Sequence, residues 1–289
     1  IKLGFADKKM QWELGYNMSL FDDNQDSLTW DNFQPGPDMP DVGRLALPPD
    51  NQFHQASLTA AYQVADTTRL TTLVSAGVML QDDDFQPYRV GASTAALPEN
   101  SLDGKVYVYS ARLGMTSRPF RPLRLNMSYR YDERNNDSSH GRYTYNILDS
   151  DNTAGPVSNR PLNYRKQKID LSGQYRFNRY VDGVLGYAYG KVDRDNADAE
   201  ENQENSVSAQ LKLHPRADLD LSVMLSRMDR DASGYLAESE NQNPLVRKYY
   251  MADDKQDKAG LTLSYMPHST VTLGLSADYL KDDYDKTSI

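Results

Sequence analysis

Cysteine is absent from all 289 residues. A disulfide, a thiolate metal site, an iron-sulfur cluster or a covalently attached c-type haem therefore cannot be built from this chain. Histidine is nearly as scarce: there are 4, namely His54, His140, His214 and His268, and none is near another in sequence. Long apolar runs are missing too, so nothing reaches the roughly 18 residues that a membrane-crossing helix requires. Positive charge is in deficit, with 32 Lys and Arg against 41 Asp and Glu, a net charge of -9 and a pI near 5.0. Phosphate backbones demand the opposite balance, which argues against a nucleic-acid partner. Gly-x-Ser-x-Gly, His-Glu-x-x-His and a phosphate loop are all missing, so no catalytic residues are assigned and the chain is expected not to be an enzyme.

What is present is polar, aromatic and periodic. Hydrophobic residues make up 38% and mean hydropathy is -0.74, too low for a thick conventional core. The 20 tyrosines against 7 phenylalanines favour rings with a polar tip, and such aromatic content argues against disorder. The stretch Leu123 to Asp132 shows the pattern most clearly. Leu123, Leu125, Met127, Tyr129 and Tyr131 fall on one side of an extended strand, with Arg124, Asn126, Ser128, Arg130 and Asp132 on the other. A soluble sandwich would turn the polar side to solvent and the apolar side to a core. An outer-membrane barrel would turn the apolar side to lipid and the polar side to a wet lumen.

The same unit repeats along the chain: strand, tight turn, strand, long polar loop. Strands are expected at 1–6, 10–21, 53–64, 68–81, 105–117, 123–134, 165–177, 183–193, 205–214, 219–229, 255–266 and 271–282. That makes about twelve. Turns fall at Asp7-Lys8-Lys9, Ala65-Asp66-Thr67, Arg118 to Pro122, Asn178 to Asp182, Pro215 to Asp218 and Pro267 to Thr270. Long polar loops occupy 22–52, 82–104, 135–164, 194–204 and 230–254. Short turns at one end and long acidic loops at the other are the asymmetry of bacterial outer-membrane barrels. Strands of about 10 to 13 residues, rising about 3.3 Å each and tilted about 40°, span roughly 25–33 Å, enough for the apolar band. Soluble strands are about half as long. The fold expected is therefore all-β, an antiparallel up-and-down transmembrane β-barrel in the outer membrane of a Gram-negative cell.

Aromatic positions agree. Phe120, Phe177, Tyr180 and Tyr265 lie beside short turns, while Phe21, Tyr107, Tyr109, Tyr129, Tyr131, Tyr187, Tyr189 and Tyr279 lie toward the loops. These are expected to form two interfacial girdles. Charged residues avoid the lipid phase, since Lys or Arg at the bilayer midplane costs about 2–4 kcal/mol. Arg124, Asn126, Arg130, Lys168, Asp170, Gln174, Arg176, Gln210 and Lys212 all take the opposite phase and are the expected lumen-facing contacts to a partner. Asp22-Asp23-Asn24-Gln25-Asp26 and Asp149-Ser150-Asp151-Asn152 could offer oxygen to calcium, but neither has the spacing and glycine of an EF-hand loop, so no metal site is assigned. Asp82-Asp83-Asp84 reads as a solvated strand exit.

The run Asn243-Pro244-Leu245-Val246-Arg247-Lys248-Tyr249-Tyr250-Met251-Ala252-Asp253, with Asp257 and the strand Leu261-Thr262-Leu263-Ser264-Tyr265 behind it, resembles the MtrB/PioB family of decahaem-associated outer-membrane proteins. Arg160-Pro161-Leu162-Asn163 and the strand exit Tyr131-Asp132-Glu133-Arg134-Asn135-Asn136 are similar to other stretches of that family. Members are typically much longer, and both ends of this chain look cut, so residues 1–289 are expected to be part of a single barrel domain. Some members carry an amino-terminal Cys-x-x-Cys that is not found here. The resemblance implies a barrel that sheathes a periplasmic decahaem cytochrome and presents it to an extracellular multihaem cytochrome at the loops. Electrons would then cross the outer membrane for metal reduction or oxidation. The haem c would belong to those partners and no cofactor to this chain. Two alternatives stand beside this one: a general or substrate-specific diffusion porin with an open lumen, and an extracellular adhesive β-domain outside the membrane.

Overall fold

In the computed structural model, residues 1–33, 42–87, 90, 96–143, 157–195, 199–233 and 252–284 are described. Their first half holds β1 (Lys2–Ala6), β2 (Met10–Phe21), β3 (Ser27–Asp31), β4 (Val42–Ala46), β5 (Asn51–Ala65), β6 (Thr68–Gln81), β7 (Gly104–Phe120) and β8 (Leu123–Asn136). The second half holds β9 (Arg142–Tyr143), β10 (Val157–Ser158), β11 (Tyr164–Asn178), β12 (Val181–Arg194), β13 (Glu201–Arg216), β14 (Leu219–Ser233), β15 (Asp254–His268) and β16 (Val271–Tyr284). Twelve of these form one antiparallel sheet in the order β1-β2-β5-β6-β7-β8-β11-β12-β13-β14-β15-β16. Each strand pairs with its sequence neighbour in the sheet, the up-and-down meander expected. β1 and β16 are its two edges and do not pair with each other. The remaining four make two small ribbons, β3 with β4 and β9 with β10, inside stretches read from sequence as plain loop.

There is almost no core. Among the described residues only Val106, Ala199 and Ala252 are buried hydrophobics, while Leu185 is 70% and Leu275 63% exposed. A soluble sandwich would stack a second layer against that face, and the described residues supply none. Contiguous apolar exposure on this scale marks a surface that water does not cover. Leu171 is exposed, and Leu125 and Leu221 are half-buried by their sheet neighbours alone.

The strands run longer than the alternation suggested, and the reason is visible at both ends. At the turn end, Pro119, Pro215 and Pro267, expected in turns, lie within strands. Each sits where the register shifts, between Ser117 and Phe120, Leu213 and Arg216, and Tyr265 and His268. Proline donates no ladder hydrogen bond, and a bulge is where a strand tolerates that. The first turn is held differently. The amides of Met10 and Lys9 donate to Asp7 Oδ1 at 2.6 and 2.7 Å, and this holds the Asp7 carboxyl below its usual range.

At the loop end, the outward face changes from oil to ions while the ladder continues. Arg165 pairs with Glu133 at 3.3 Å, Lys191 with Glu201 at 3.0 Å and with Asp193 at 3.1 Å, and Arg227 lies 3.7 Å from Asp257. All are in the phase of the lipid-facing leucines. Isolated charges there would be expelled from hydrocarbon. Paired ions mark where the strands emerge from it.

Candidate functional site

Register sorts the residues without ambiguity. From β8 to β11, Arg130 is opposite Lys168, Ser128 opposite Asp170, Asn126 opposite Ser172 and Arg124 opposite Gln174. Continuing, Arg176 is opposite Asp182 on β12, which is opposite Lys212 on β13, and Val184 is opposite Gln210. Strand partners that face each other project to the same side. All nine residues expected on the polar face therefore share it. Phe21 does not follow expectation: it is opposite Asn51, in phase with Glu13 and Asn17, and so belongs to the polar face rather than the outer aromatic girdle.

A hollow of about 480 Å³ opens on the apolar side among Tyr62, Leu70, Met115, Met127 and Ile169, and others open on this polar side. One hollow of about 790 Å³ reaches across five neighbouring strands, from Glu13 on β2 to Arg130 on β8. A second of about 530 Å³ lies nearer the turns, between Arg69, Arg118 and Arg124. A smaller one of about 190 Å³ lies beside Asn126 and Asp170 and shares Arg69 with both.

Six of the nine residues are engaged with the wall itself. Asn126 donates to Ser172 Oγ at 3.4 Å, Ser128 donates to Asp170 at 3.2 Å, and Lys168 Nζ lies 3.4 Å from Asp170. Gln174 and Arg176 both donate to Asp182, at 3.1 and 3.2 Å. Gln210 donates to Ser222 at 2.7 Å. Arg124, Arg130 and Lys212 have no hydrogen-bond or ion partner among the described residues. Asp182 is the buried centre of its cluster, although its place in the expected turn Asn178 to Asp182 gave no sign of that. Arg69 and Arg112 were also missed, although the alternation through Leu70 and Leu113 already put them on the polar side.

Nearer the loops, Arg230 is buried between Glu204 and Asp254, each 3.6 Å away, and its Nε donates to the carbonyl of Ala252 at 2.8 Å. The acidic segments behave as local ties. Asp23 Oδ1 accepts from Gln25, Asp50 accepts from the Asp23 amide at 2.6 Å, and Asp83 accepts from the Asp50 amide at 2.7 Å. Asp83 therefore joins two loops rather than only solvating a strand exit. Asp149 to Asn152, and Asn243 to Met251 of the segment that suggested a family, lie outside the described residues. Among the imidazoles, His54 meets the Tyr16 hydroxyl at 2.7 Å and His214 meets Asp220.

Comparison with known proteins agrees with this geometry. The profile of the family described as "Putative outer membrane beta-barrel porin, MtrB/PioB" matches residues 1–289. The chain is 30% identical to the outer membrane protein MtrB of Shewanella baltica strain OS185, over 100% of this chain and 42% of that protein. It thus spans less than half the length of this curated relative. Among solved structures, the ferric-catecholate import receptor Fiu of E. coli K12 matches 96% of this chain and 44% of its own, at 9% identity and a TM-score of 0.50, a likeness of fold. OmpT of Vibrio cholerae matches 97% of this chain and 90% of its own, at 10% identity and a TM-score of 0.40. The two-sided antiparallel sheet is the fold that such a family implies, and the match along the whole length places this chain in the MtrB/PioB family of outer-membrane β-barrel proteins.

Proposed function

We propose that this chain forms part of the wall of a single-domain barrel that sheathes a multihaem c-type cytochrome and positions it for electron transfer across the outer membrane. The single observation that carries the reading is the pairing of an apolar, unlayered outer face with a polar inner face whose hollow crosses five strands. Hydrocarbon covers the first, and a guest covers the second. Haem chemistry belongs to the guest, because thioether attachment needs cysteine and this chain has none. The role of the wall is to hold redox centres in line and keep lipid from them, without catalysing a reaction. Arg124, Asn126, Arg130, Lys168, Asp170, Gln174, Arg176, Gln210 and Lys212 hydrogen-bond to the guest or to water between guest and wall. The loops, including the β3/β4 ribbon, offer a platform to an extracellular multihaem partner.

The test is purification of the whole protein from outer membranes in mild detergent, followed by haem staining. A haem-bearing polypeptide in stoichiometric amount is the expected result. A barrel recovered without one, which conducts ions by itself in planar bilayers, would replace this reading with the open porin.

A further inference from the structure

The polar face is not evenly charged. On β6, β7, β8 and β11 it carries nine cations, among them Arg69, Arg112, Arg118, Arg124, Arg130 and Lys168, against two carboxylates, Asp132 and Asp170. This is the reverse of the whole chain, whose net charge is -9. Three of the cations form a straight cross-strand row: Arg112 is directly opposite Arg130, and Arg130 directly opposite Lys168. Like charges in such positions repel, so the row is unfavourable to the sheet that contains it. A lumen wall needs only to be wettable, and serine or glutamine would do that without repulsion. Lys168 has one ion partner, Asp170, at 3.4 Å. Arg69, Arg112, Arg124 and Arg130 are exposed, and none has a hydrogen-bond or ion partner among the described residues. Arg112 and Arg130 line the hollow that crosses five strands, and Arg69 lines that hollow and both of the others described on this face.

We infer that this basic trough on β6, β7, β8 and β11 is the docking surface for an acidic face of the polypeptide inside the barrel, with the guanidinium groups of Arg112 and Arg130 bound to its carboxylates. The inference rests on the sheath reading above and adds which sector of the wall the guest contacts and with what charge. Guanidinium presents paired donors in a plane that matches a carboxylate, which suits arginine better than lysine to this task. Filling the trough with carboxylates turns the repulsion along the row into attraction. The other half of the sheet does not compete, because on β12 to β16 the polar face carries Asp182, Glu204, Asp220, Asp254, Asp278 and Asp282 against Arg194, Lys212, Arg230 and Lys258, and is not basic.

The experiment uses the whole protein in its own outer membrane. It compares wild type, the triple variant Arg112→Gln, Arg130→Gln and Lys168→Gln, and the charge-keeping triple Arg112→Lys, Arg130→Lys and Lys168→Arg. Barrel assembly is checked for each by heat-modifiable migration, and the haem-stained polypeptide retained on the immobilised barrel is followed as salt is raised. The salt concentration releasing half the haem protein is expected to fall at least about twofold in the neutral triple and by clearly less in the charge-keeping one, which retains the charge but loses the paired donors of two guanidinium groups. Equal retention by an assembled neutral triple would overturn the docking surface and leave the sheath standing. Should the neutral triple fail to assemble, the single Arg130→Gln is read the same way, with a smaller fall expected and no fall counting against the trough. A wild-type barrel carrying no haem polypeptide would overturn the sheath and, with it, this inference.

Discussion

Arg230 shows what a single buried charge does in a structure with hardly any interior. Its guanidinium is almost covered, its Nε is bound to Ala252, and Glu204 and Asp254 flank it. Asp254 is more deeply buried still, and its Oδ1 has no hydrogen-bond partner among the described residues. Removing the arginine leaves that carboxylate buried without its counter-charge, which typically costs about 3–5 kcal/mol. Arg230→Ala is therefore expected to lower the urea midpoint of the refolded barrel by the equivalent of about 3 kcal/mol. Asp254→Asn removes the buried anion together with its need for the cation, and is expected to cost clearly less. Equal losses for the two variants would show that Arg230 acts by packing alone. None of this was legible in the sequence, which put both residues in one polar loop. The ladder continues through them because the charged pairs stabilise strand ends beyond the membrane.

At the scale of a strand, far more could be read in advance. Alternation alone assigns β14, where Leu219, Leu221, Val223 and Leu225 face out and Ser222, Met224 and Ser226 face in. The structure keeps that phase in every strand of the large sheet, because a one-residue slip would put a whole face into the wrong solvent. Strand ends were less legible. Proline was read as a stop, yet at Pro119, Pro215 and Pro267 a bulge absorbs it. Loop residues such as Ser27 to Asp31 were polar enough to look unstructured and still pair with Val42 to Ala46. Phe21 fell on the inner face because aromatic enrichment near a loop does not carry phase. Alternation yields a paired test on adjacent residues of β14. Val223→Arg puts charge into hydrocarbon and is expected to destabilise the barrel in lipid vesicles by about 2–4 kcal/mol. Met224→Arg points into the lumen beside Gly260 and is expected to cost well under half of that. Urea titration in vesicles measures both. The reverse order, or equal losses, would assign the faces the other way round.

For the whole molecule, the two ends of the sheet differ more than its two faces. One end closes its first hairpin with the three residues Asp7-Lys8-Lys9 and the remaining five with two-residue turns, at Asp66-Thr67, Arg121-Pro122, Arg179-Tyr180, Ala217-Asp218 and Ser269-Thr270. The other carries the β3/β4 and β9/β10 ribbons, the Asp23–Asp50–Asp83 ties and the outward ion pairs. A nascent barrel inserts from the periplasm, so the end that must cross the bilayer is expected to be the large one only if it folds after passage, while compact turns stay behind. The absence of cysteine from residues 1–289 makes this orientation directly measurable, because an introduced thiol is the sole reactive one in this stretch. Thr29→Cys places a thiol on the exposed β3 ribbon, and Asp66→Cys places one in a turn. A membrane-impermeant maleimide added to intact cells is expected to label the first and not the second, with both labelled after the outer membrane is permeabilised and the parent protein as the background. Labelling of Asp66→Cys in intact cells, with Thr29→Cys protected, would invert the barrel. The basic trough near Arg69 and Arg124 would then open to the exterior, and the polypeptide proposed to dock there would have to enter from outside the cell.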